Sequence, residues 1–292
     1  MKNRYRKILD SNDGVAGVVV ALLMIGLIFS AIALVQTVFV PQWMEKKEAE
    51  HMEEIANQFS QLKLAVDLQS LSAQQNIPVS CPITLGSKEI PFLSSVRSYG
   101  TLNLISDGLK IEIKDNTRSP PVPYTLGSLQ YSSENAYFLN QVYTYEGGAL
   151  ILNQTSNDIM IVDPAIYQDP VDQNILSLNL IKFSCITGKT SASGYGTYGI
   201  QTSFSKTETT QFFNVRQLTI TTSSYSAWSS FFENKIKPKL NCDTRITPEV
   251  DSSGKTIGIH IDFSASGVDQ QLPDIILKIT TIDIQIVSGL VK

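Results

Sequence analysis

A long apolar run near the N-terminus limits the structures open to this chain, because no charged residue interrupts it between Asp13 and Glu45. The 27 residues of 14–40 would extend about 40 Å as a helix, whereas about 20 residues cross a bilayer core. A buried helix of a soluble protein would show a polar stripe, and this run has only three scattered polar side chains. The run therefore predicts a transmembrane helix over 14–40, in contact with membrane lipid.

The flanks of this run predict its orientation. Lys2, Arg4, Arg6 and Lys7 precede it, and basic residues beside a span favour the cytoplasmic side. We therefore interpret 1–13 as a basic cytoplasmic leader and the rest of the chain beyond the span as extracellular. A secretory signal would have a shorter apolar core and a small-residue cleavage site, which the sequence VFVPQW at the end of the run does not offer. The sequence predicts a single-pass protein of the cell membrane.

About 250 residues follow the predicted transmembrane helix, which is enough for one large or two small domains. Charged residues make up 17% of the chain and the net charge is −4, with no basic stripe, so nucleic acid is not expected as a partner. Cys81, Cys185 and Cys242 all fall in this part. Their odd number allows one disulfide and one free thiol, and the sequence does not choose among the three pairings.

The segment 41–77 has the pattern of an amphipathic helix next to the membrane. Its apolar residues are spaced by three and four positions, which forms a heptad-like seam. These seam residues are Met52, Ile55, Phe59, Leu62 and Val66. Two interpretations stand side by side: the seam packs on the chain's own C-terminal part, or it also packs against neighbouring copies.

Beyond position 78 the apolar pattern changes to period two, which is typical of half-buried strands. Residues 244–263 predict a hairpin around the turn DSSGK, and the runs ALIL and IMIV predict another around NQTSND. The helical spacing within 226–237 predicts one short helix lying on a sheet. The fold class that follows is mainly β: a long N-terminal helix followed by an external antiparallel β-sandwich over 78–292.

Two irregular features occur in the sequence of the β region. The alternation slips by one residue near Lys182 and again near Thr280 and Thr281, so we expect a β-bulge or sharp bend at both places. The segment 187–199 is rich in Gly, Ser and Tyr. It is either a linker that divides the region into two β lobes or, as we favour, a loop within the sheet system.

The sequence shows no arrangement of residues that would carry catalysis, so an enzyme, a cofactor and a metal are not expected. The two histidines are far apart, with His51 assigned to the polar side of the juxtamembrane helix and His260 to the polar face of a strand. Neither lies in a metal-binding or nucleophile motif. Asn153 begins an Asn-Gln-Thr glycosylation sequon in a predicted external turn.

Several stretches carry a resemblance to a known group of proteins. A short basic leader, NDGVAGVVVALLMIG at 12–26 and the long helix after it resemble the N-terminus of archaeal type IV pilin-like proteins, which include the archaellins. VPQWMEKKEAEHMEEIANQFSQLK, QVYTYEGGALILNQ and SYSAWSSFF resemble stretches of archaeal membrane proteins with that N-terminus. The resemblance implies an N-terminal helix that bundles with other subunits and an external β domain. It says more about architecture and location than about activity.

The leader departs from this resemblance at the place where prepilins are processed. Prepilin leaders usually have a basic residue and then a small residue before the apolar run, and here Asp13 and Gly14 occupy those positions, with Val15 next. If the leader is removed there, the chain is expected to be a subunit or assembly component of a surface filament, associating through its helix. If the leader stays, the chain is expected to be an anchored surface module for adhesion or ligand binding.

Overall fold

The computed structural model of this chain describes residues 12–75, 77–89, 98–115, 121, 123–155, 157–185, 188–265 and 271–288. It is mainly β, with one long N-terminal helix, several sheets and a short helix late in the chain. The fold class predicted from the sequence is therefore confirmed.

The N-terminal helix runs with a single irregularity from the apolar run into the domain. It consists of α1 (Asn12–Leu34), a π-helical turn (Val35–Phe39) and α2 (Val40–Ser72). The wide turn arises where the Val40 N–H bonds to the Val35 carbonyl, immediately before Pro41, which has no N–H to donate. Pro41 thus sits in the first turn of α2 and does not end the helix. The helix ends when Ala73 adopts a left-handed conformation with φ of 50°.

Sixteen strands follow within the described residues, and they form three sheets. They are β1 (Val79–Thr84), β2 (Tyr99–Ile105), β3 (Leu109–Lys114), β4 (Pro123–Thr125), β5 (Ser128–Glu134), β6 (Gln141–Glu146), β7 (Ala149–Gln154), β8 (Asn157–Val162), β9 (Ala165–Gln168), β10 (Ile175–Cys185), β11 (Ser191–Gly194), β12 (Thr197–Phe212), β13 (Gln217–Thr222), β14 (Asp243–Val250), β15 (Thr256–Ser264) and β16 (Asp274–Ser288).

The first sheet has the strand order β1-β12-β16-β10-β9, the second β11-β2-β5-β6-β7-β8 and the third β14-β15-β13-β3-β4. The predicted hairpins are present as β7–β8 and β14–β15, and their strands pair as neighbours. Between the described strands the pairing is antiparallel except that β10 and β16 run parallel over their shared length, and an isolated parallel bridge joins Gln75 to Phe204. This parallel pair corrects the expectation of a wholly antiparallel β region. Alternation in a sequence shows which face is buried but not the direction of the neighbouring strand.

Buried side chains form two separate clusters. The helix-side core joins α2 to the first and second sheets and includes Phe59, Leu62, Ile83, Leu129, Tyr131, Tyr145, Phe183, Ile200 and Ile284. The α3-side core lies between the sheets and α3 (Tyr225–Phe231), and includes Ile111, Ile151, Leu178, Leu218, Trp228, Phe231, Ile261 and Leu277. The long helix contributes to the first cluster only.

The slips in alternation mark the places where two strands pass from one core to the other. In β10, Leu178 and Leu180 face the α3-side core, whereas Ile181 and Phe183 face the helix-side core. Adjacent residues point to opposite faces of a sheet, so covering both faces produces the slip without extra residues. The β10–β16 register is unbroken, and the bulge expected near Lys182 is therefore wrong.

The first sheet does contain a register shift, but in the pairing of β12 with β16. It lies in β12 between Phe204 and Lys206, opposite Thr281 and Ile282 of β16. The irregularity expected near Thr280 and Thr281 thus belongs to the partner strand.

The short helix predicted within 226–237 is confirmed. It begins as α3, continues as a π-helical turn over Phe232–Ile236 and ends in a 3-10 turn over Lys237–Lys239. In the segment 187–199, the described residues include β11, which pairs with β2 at the edge of the second sheet. This segment therefore contributes an edge strand to the sheet system.

Candidate functional site: the apolar helix and its junction with the β domain

The first half of the long helix exposes apolar side chains in all directions. Every side chain from Ala16 to Leu34 is exposed, including Leu23, Leu27 and Phe29 at about two-thirds of their full area. Exposed apolar surface of this extent marks a place that is covered by something other than water. By its length and composition, this helix could cross a membrane, and it is the one helix within the described residues that meets both criteria.

The second half of the helix buries one face in the domain. All five seam residues are buried members of the helix-side core. These residues are Met52, Ile55, Phe59, Leu62 and Val66. The structure thus places the seam against the chain's own β domain, which is the first of the two interpretations. Packing of the seam against other copies is not needed to bury it.

Glu48 is a buried carboxylate in this interface, and it binds the turn between β5 and β6. Its Oε1 accepts the backbone N–H of Ala136 at 3.0 Å. Its Oε2 accepts the backbone N–H groups of Tyr137 at 2.8 Å and Phe138 at 2.7 Å. Three donors of one turn therefore meet a single ionisable side chain, and such charge-assisted bonds are among the stronger ones in proteins. Glu48 fixes the turn to the helix.

His51 lies one turn further along and is buried as well, so its assignment to the polar side of the helix was wrong. Its Nε2 is 3.2 Å from both the Leu85 carbonyl and the Tyr131 hydroxyl, and that hydroxyl donates to the same carbonyl at 2.8 Å. Burial lowers the pKa of His51 and raises that of the Tyr131 hydroxyl. Both groups are thereby kept neutral within the interface.

Two glutamines complete the polar part of the interface. The side-chain oxygen of Gln58 accepts the Thr84 N–H at 2.8 Å, and the Gln69 amide donates to the Thr202 carbonyl at 2.9 Å. These bonds attach α2 to β1 and β12.

The sequence carried a signal for two of these polar residues. Glu48, Met52, Ile55, Phe59, Leu62, Val66 and Gln69 follow one another at alternating steps of four and three. Extending the heptad spacing in both directions from the apolar seam therefore reaches Glu48 and Gln69. They were missed because a buried face was expected to be apolar.

The structure does not contain the one disulfide that the number of cysteines would allow. All three are free thiols: Cys81 is buried, Cys185 is exposed and Cys242 is partly buried. Cys81 belongs to the helix-side core, whereas Cys242 packs against the α3-side core. The two thiols therefore lie in different parts of the β domain. Burial raises the pKa of both of these thiols, which makes them less reactive.

The glycosylation candidate lies on the surface of a hairpin. Asn153 is exposed near the end of β7, and its amide donates to the Asp158 carboxylate on β8. The asparagine is thus in a strand next to the turn and not in the turn itself. Its modification remains a prediction.

A second buried carboxylate joins the sheets to α3. Oε1 of Glu146, in β6, accepts the Trp228 indole N–H and the Thr222 hydroxyl, both at 2.8 Å. Its Oε2 is buried without a hydrogen-bond partner. Burial raises the pKa of Glu146 to about 7, against the opposing effect of the two donors. This residue was not singled out from the sequence.

Three further candidate positions lie at the start of the long helix. Asp13, Gly14 and Val15 lie in the first turns of α1, and their side chains are outside the described set. No group of three or more His, Cys, Asp or Glu residues suited to a metal ion occurs in the described parts of the chain.

Comparison with known proteins yields one match. The model of a family described as "Family of unknown function (DUF7289)" matches residues 14–260. The matched range extends from α1 through β14 and into β15, so the family combines the apolar helix with the β domain. No curated protein and no solved structure matches the chain.

Proposed function

The chain belongs to this family of unknown function, DUF7289, and we propose that it is a type IV pilin-like protein of the cell surface. In this proposal α1 holds the chain in the membrane with its N-terminus in the cytoplasm, and the β domain lies outside. Copies then associate through α1 as subunits or assembly components of a surface filament. The proposal includes no catalytic step and no cofactor.

One observation carries the proposal: a single helix is divided into an unpaired apolar half and a half built into a folded domain. From Asn12 to Ser72 the helix is about 90 Å long at about 1.5 Å per residue. The domain packs only on the distal half, whereas the apolar half projects from it. That division leaves the apolar half free to pack among lipids and then among other helices.

The surface of α1 supports close approach of another helix. Gly17 and Gly26 have open space where a side chain would be, and each is followed four residues later by another small residue, Ala21 and Ser30. Small residues at this spacing allow helix backbones to meet within a membrane, where packing drives association. No charged side chain in the run opposes such a bundle.

A second candidate function, an uncleaved anchored surface module, is favoured by the residues at the N-terminal end of the apolar run. Asp13 and Gly14 stand where prepilins carry a basic and a small residue, and four cations lie upstream. If the cations remain, moving the helix out of the bilayer would drag them through it at a cost of several kcal/mol. Such a chain would stay anchored and act through its β domain.

The first test determines the N-terminal residue of the mature protein, by mass spectrometry of native membranes and of shed surface material. A start at Gly14 or Val15 is expected from the filament proposal. A start at Met1 or Lys2 would contradict it and leave the anchored module.

A second test uses cross-linking in native membranes, in a chain whose three cysteines are replaced by serine. Gly26→Cys is expected to give oxidised dimers, because the proposal brings the small residues Gly26 and Ser30 against the helix of another copy. The matched control, Glu53→Cys, lies on the exposed polar face of α2 and is expected to stay monomeric. Equal yields at the two positions would argue against association through α1.

A further inference from the structure

The loop between β5 and β6 is an apolar projection at the membrane-proximal end of the domain. It covers 135–140, with the sequence NAYFLN, and no charged residue occurs between Glu134 and Glu146. Tyr137 and Leu139 are 39% and 51% exposed. A mobile surface loop would normally be polar, so this composition calls for an explanation.

Contacts along α2 show which way the loop projects. The rings of Tyr131 in β5 and Tyr143 in β6 lie against Phe59, and the Tyr143 hydroxyl donates to the Met52 carbonyl. The loop itself is held by Glu48, still closer to α1. The β5–β6 hairpin therefore runs down α2 toward the apolar half of the helix, with its tip foremost.

Two aromatic side chains lie on the helix between Glu48, which holds the tip, and α1. Phe39 and Trp43 are both exposed, and their ring centroids are 6.0 Å apart. Trp and Tyr are enriched at membrane interfaces because their rings combine apolar area with a polar group. Tyr137 from the loop and Trp43 from the helix have this character.

The spacing along the helix fits the thickness of a headgroup layer. Glu48 is five residues beyond Trp43, about 7.5 Å at about 1.5 Å per residue. The polar layer on each side of a bilayer is about 5 to 7 Å thick. If Trp43 marks the edge of the hydrocarbon, a loop held at Glu48 and projecting downward lies in the headgroups.

Four backbone N–H groups of the loop already have hydrogen-bond partners, which suits the loop to a layer with little water. Besides the three N–H groups bound by Glu48, the Asn135 N–H bonds to the Asn140 side chain at 2.7 Å. The Asn135 amide in turn donates to the Leu139 carbonyl at 2.8 Å. Backbone groups that are already bonded lose little when water is withdrawn.

We propose that the 135–140 loop, locked to α2 by Glu48, inserts Tyr137 and Leu139 into the headgroup layer of the bilayer that holds α1. Together with Trp43 it seats the β domain on the membrane surface, so that the domain does not swing about a single helix. This inference rests on the membrane location of the proposed function. It adds a second lipid contact, made by the β domain.

The test uses the full chain in liposomes whose lipids carry bromine near the headgroup end of the acyl chains, which quenches nearby tryptophan. Trp43→Phe removes the helix reporter and leaves the buried Trp228 as a constant background. In this background Tyr137→Trp reports on the loop. Tyr225→Trp, an exposed tyrosine on α3, is the matched control.

The Tyr137→Trp reporter is expected to lose emission in brominated liposomes, whereas the Tyr225→Trp reporter is expected to keep it. Adding Glu48→Gln, which weakens the lock while preserving side-chain size, is expected to reduce that loss. If the protein floats with the liposomes and the loop reporter keeps its emission, the inference fails and the membrane anchor stands. If the protein does not float with them, both the anchor and the inference fail.

Discussion

The two halves of the long helix reverse the usual relation between polarity and burial. In α1 the side chains are apolar and exposed, and in α2 the buried face includes Glu48, His51 and Gln69. What differs is the surroundings of each half. The described side chains of α1 are exposed along its whole length, whereas in α2 Glu48, His51 and Gln69 each bond at least once to the β domain, although Oε1 of Gln69 is buried without a partner.

Hydrophobicity alone therefore does not identify the part of a helix that packs on a domain. The seam of α2 is recognised because its apolar residues recur at heptad spacing. The apolar half is recognised because apolar residues occupy every face of the helix. Mutations that place the same kind of charge in each half should therefore have different consequences.

The largest expected effect is in the seam. Ile55→Glu combined with Phe59→Glu places two carboxylates in a fully buried, apolar part of the helix-side core, where neither finds a partner. We expect the free energy of unfolding to fall by more than about 4 kcal/mol. Denaturant titration of the detergent-solubilised chain measures it.

Leu68→Glu is the control for this change, because Leu68 is exposed on the same helix and should tolerate the charge within about 0.5 kcal/mol. Similar losses in both variants would remove the distinction between the two faces of α2.

The corresponding change in the apolar half is Leu27→Arg. Leu27 is exposed, so the β domain should keep its stability in denaturant. Insertion of α1 should become less favourable by about 3 kcal/mol, because a cation near the middle of a span loses its hydration. The membrane-integrated fraction after alkaline extraction reports this, and unchanged integration together with a less stable β domain would contradict the assignment of Leu27 to the half of the helix outside the β domain.

A third prediction uses pH and the other buried carboxylate, Glu146. Its pKa rises from 4.5 in the unfolded chain to about 7 in the folded one, because burial disfavours the charged form. Below pH 4.5 both states hold the proton, and between 4.5 and 7 the unfolded state releases it first. The free energy of unfolding should therefore fall by about 3 kcal/mol over this range and level off above pH 7.

Denaturant midpoints measured at several pH values check this dependence. Glu146→Gln keeps an acceptor for Trp228 and Thr222 and cannot titrate, so the fall attributed to Glu146 should vanish. An equal slope in the variant would assign it to other groups.

A smaller effect is expected at Glu48. Glu48→Ala leaves three backbone N–H groups of one turn without their acceptor, which should cost about 2 kcal/mol. Hydrogen exchange at Ala136, Tyr137 and Phe138 should accelerate in the variant. Glu54→Ala, exposed on the same helix, is the control and should leave these rates unchanged.

The smallest effect concerns Asn153. Asn153→Gln should change stability by less than about 0.5 kcal/mol, because the residue is exposed. In the native host it should nevertheless remove a glycan, seen as a loss of mass on the peptide that contains it. An unmodified wild-type peptide from native surface material would end this prediction.

The long helix, the mainly β region and α3 could be predicted because each depends on local periodicity. The parallel pairing of β10 with β16 could not, since residues distant in sequence decide which strands become neighbours. Phase slips near Lys182 and Thr280 were real, but a sheet covered on both faces produces them as readily as a bulge does.

The candidate site was predictable to a similar degree. The apolar seam residues followed from spacing, and Glu48 lay one step beyond them. Its partner, the turn at Ala136 to Phe138, is about 90 residues away and carries no local sign of the contact. His51 was misplaced because a histidine among glutamates looks like surface, whereas Leu85 and Tyr131 supply its buried bonds.

If α1 anchors the chain as proposed, the continuity of α2 with α1 has a mechanical consequence. Tension between the membrane and anything held by the β domain acts along this helix. The bonds and packing from Glu48 to Gln69 extend over about 30 Å at about 1.5 Å per residue. A pull therefore loads these contacts in shear, all at once, and does not peel them apart in turn. Detachment under load then requires the helix-side core to yield as a whole, which makes the junction suited to bearing force.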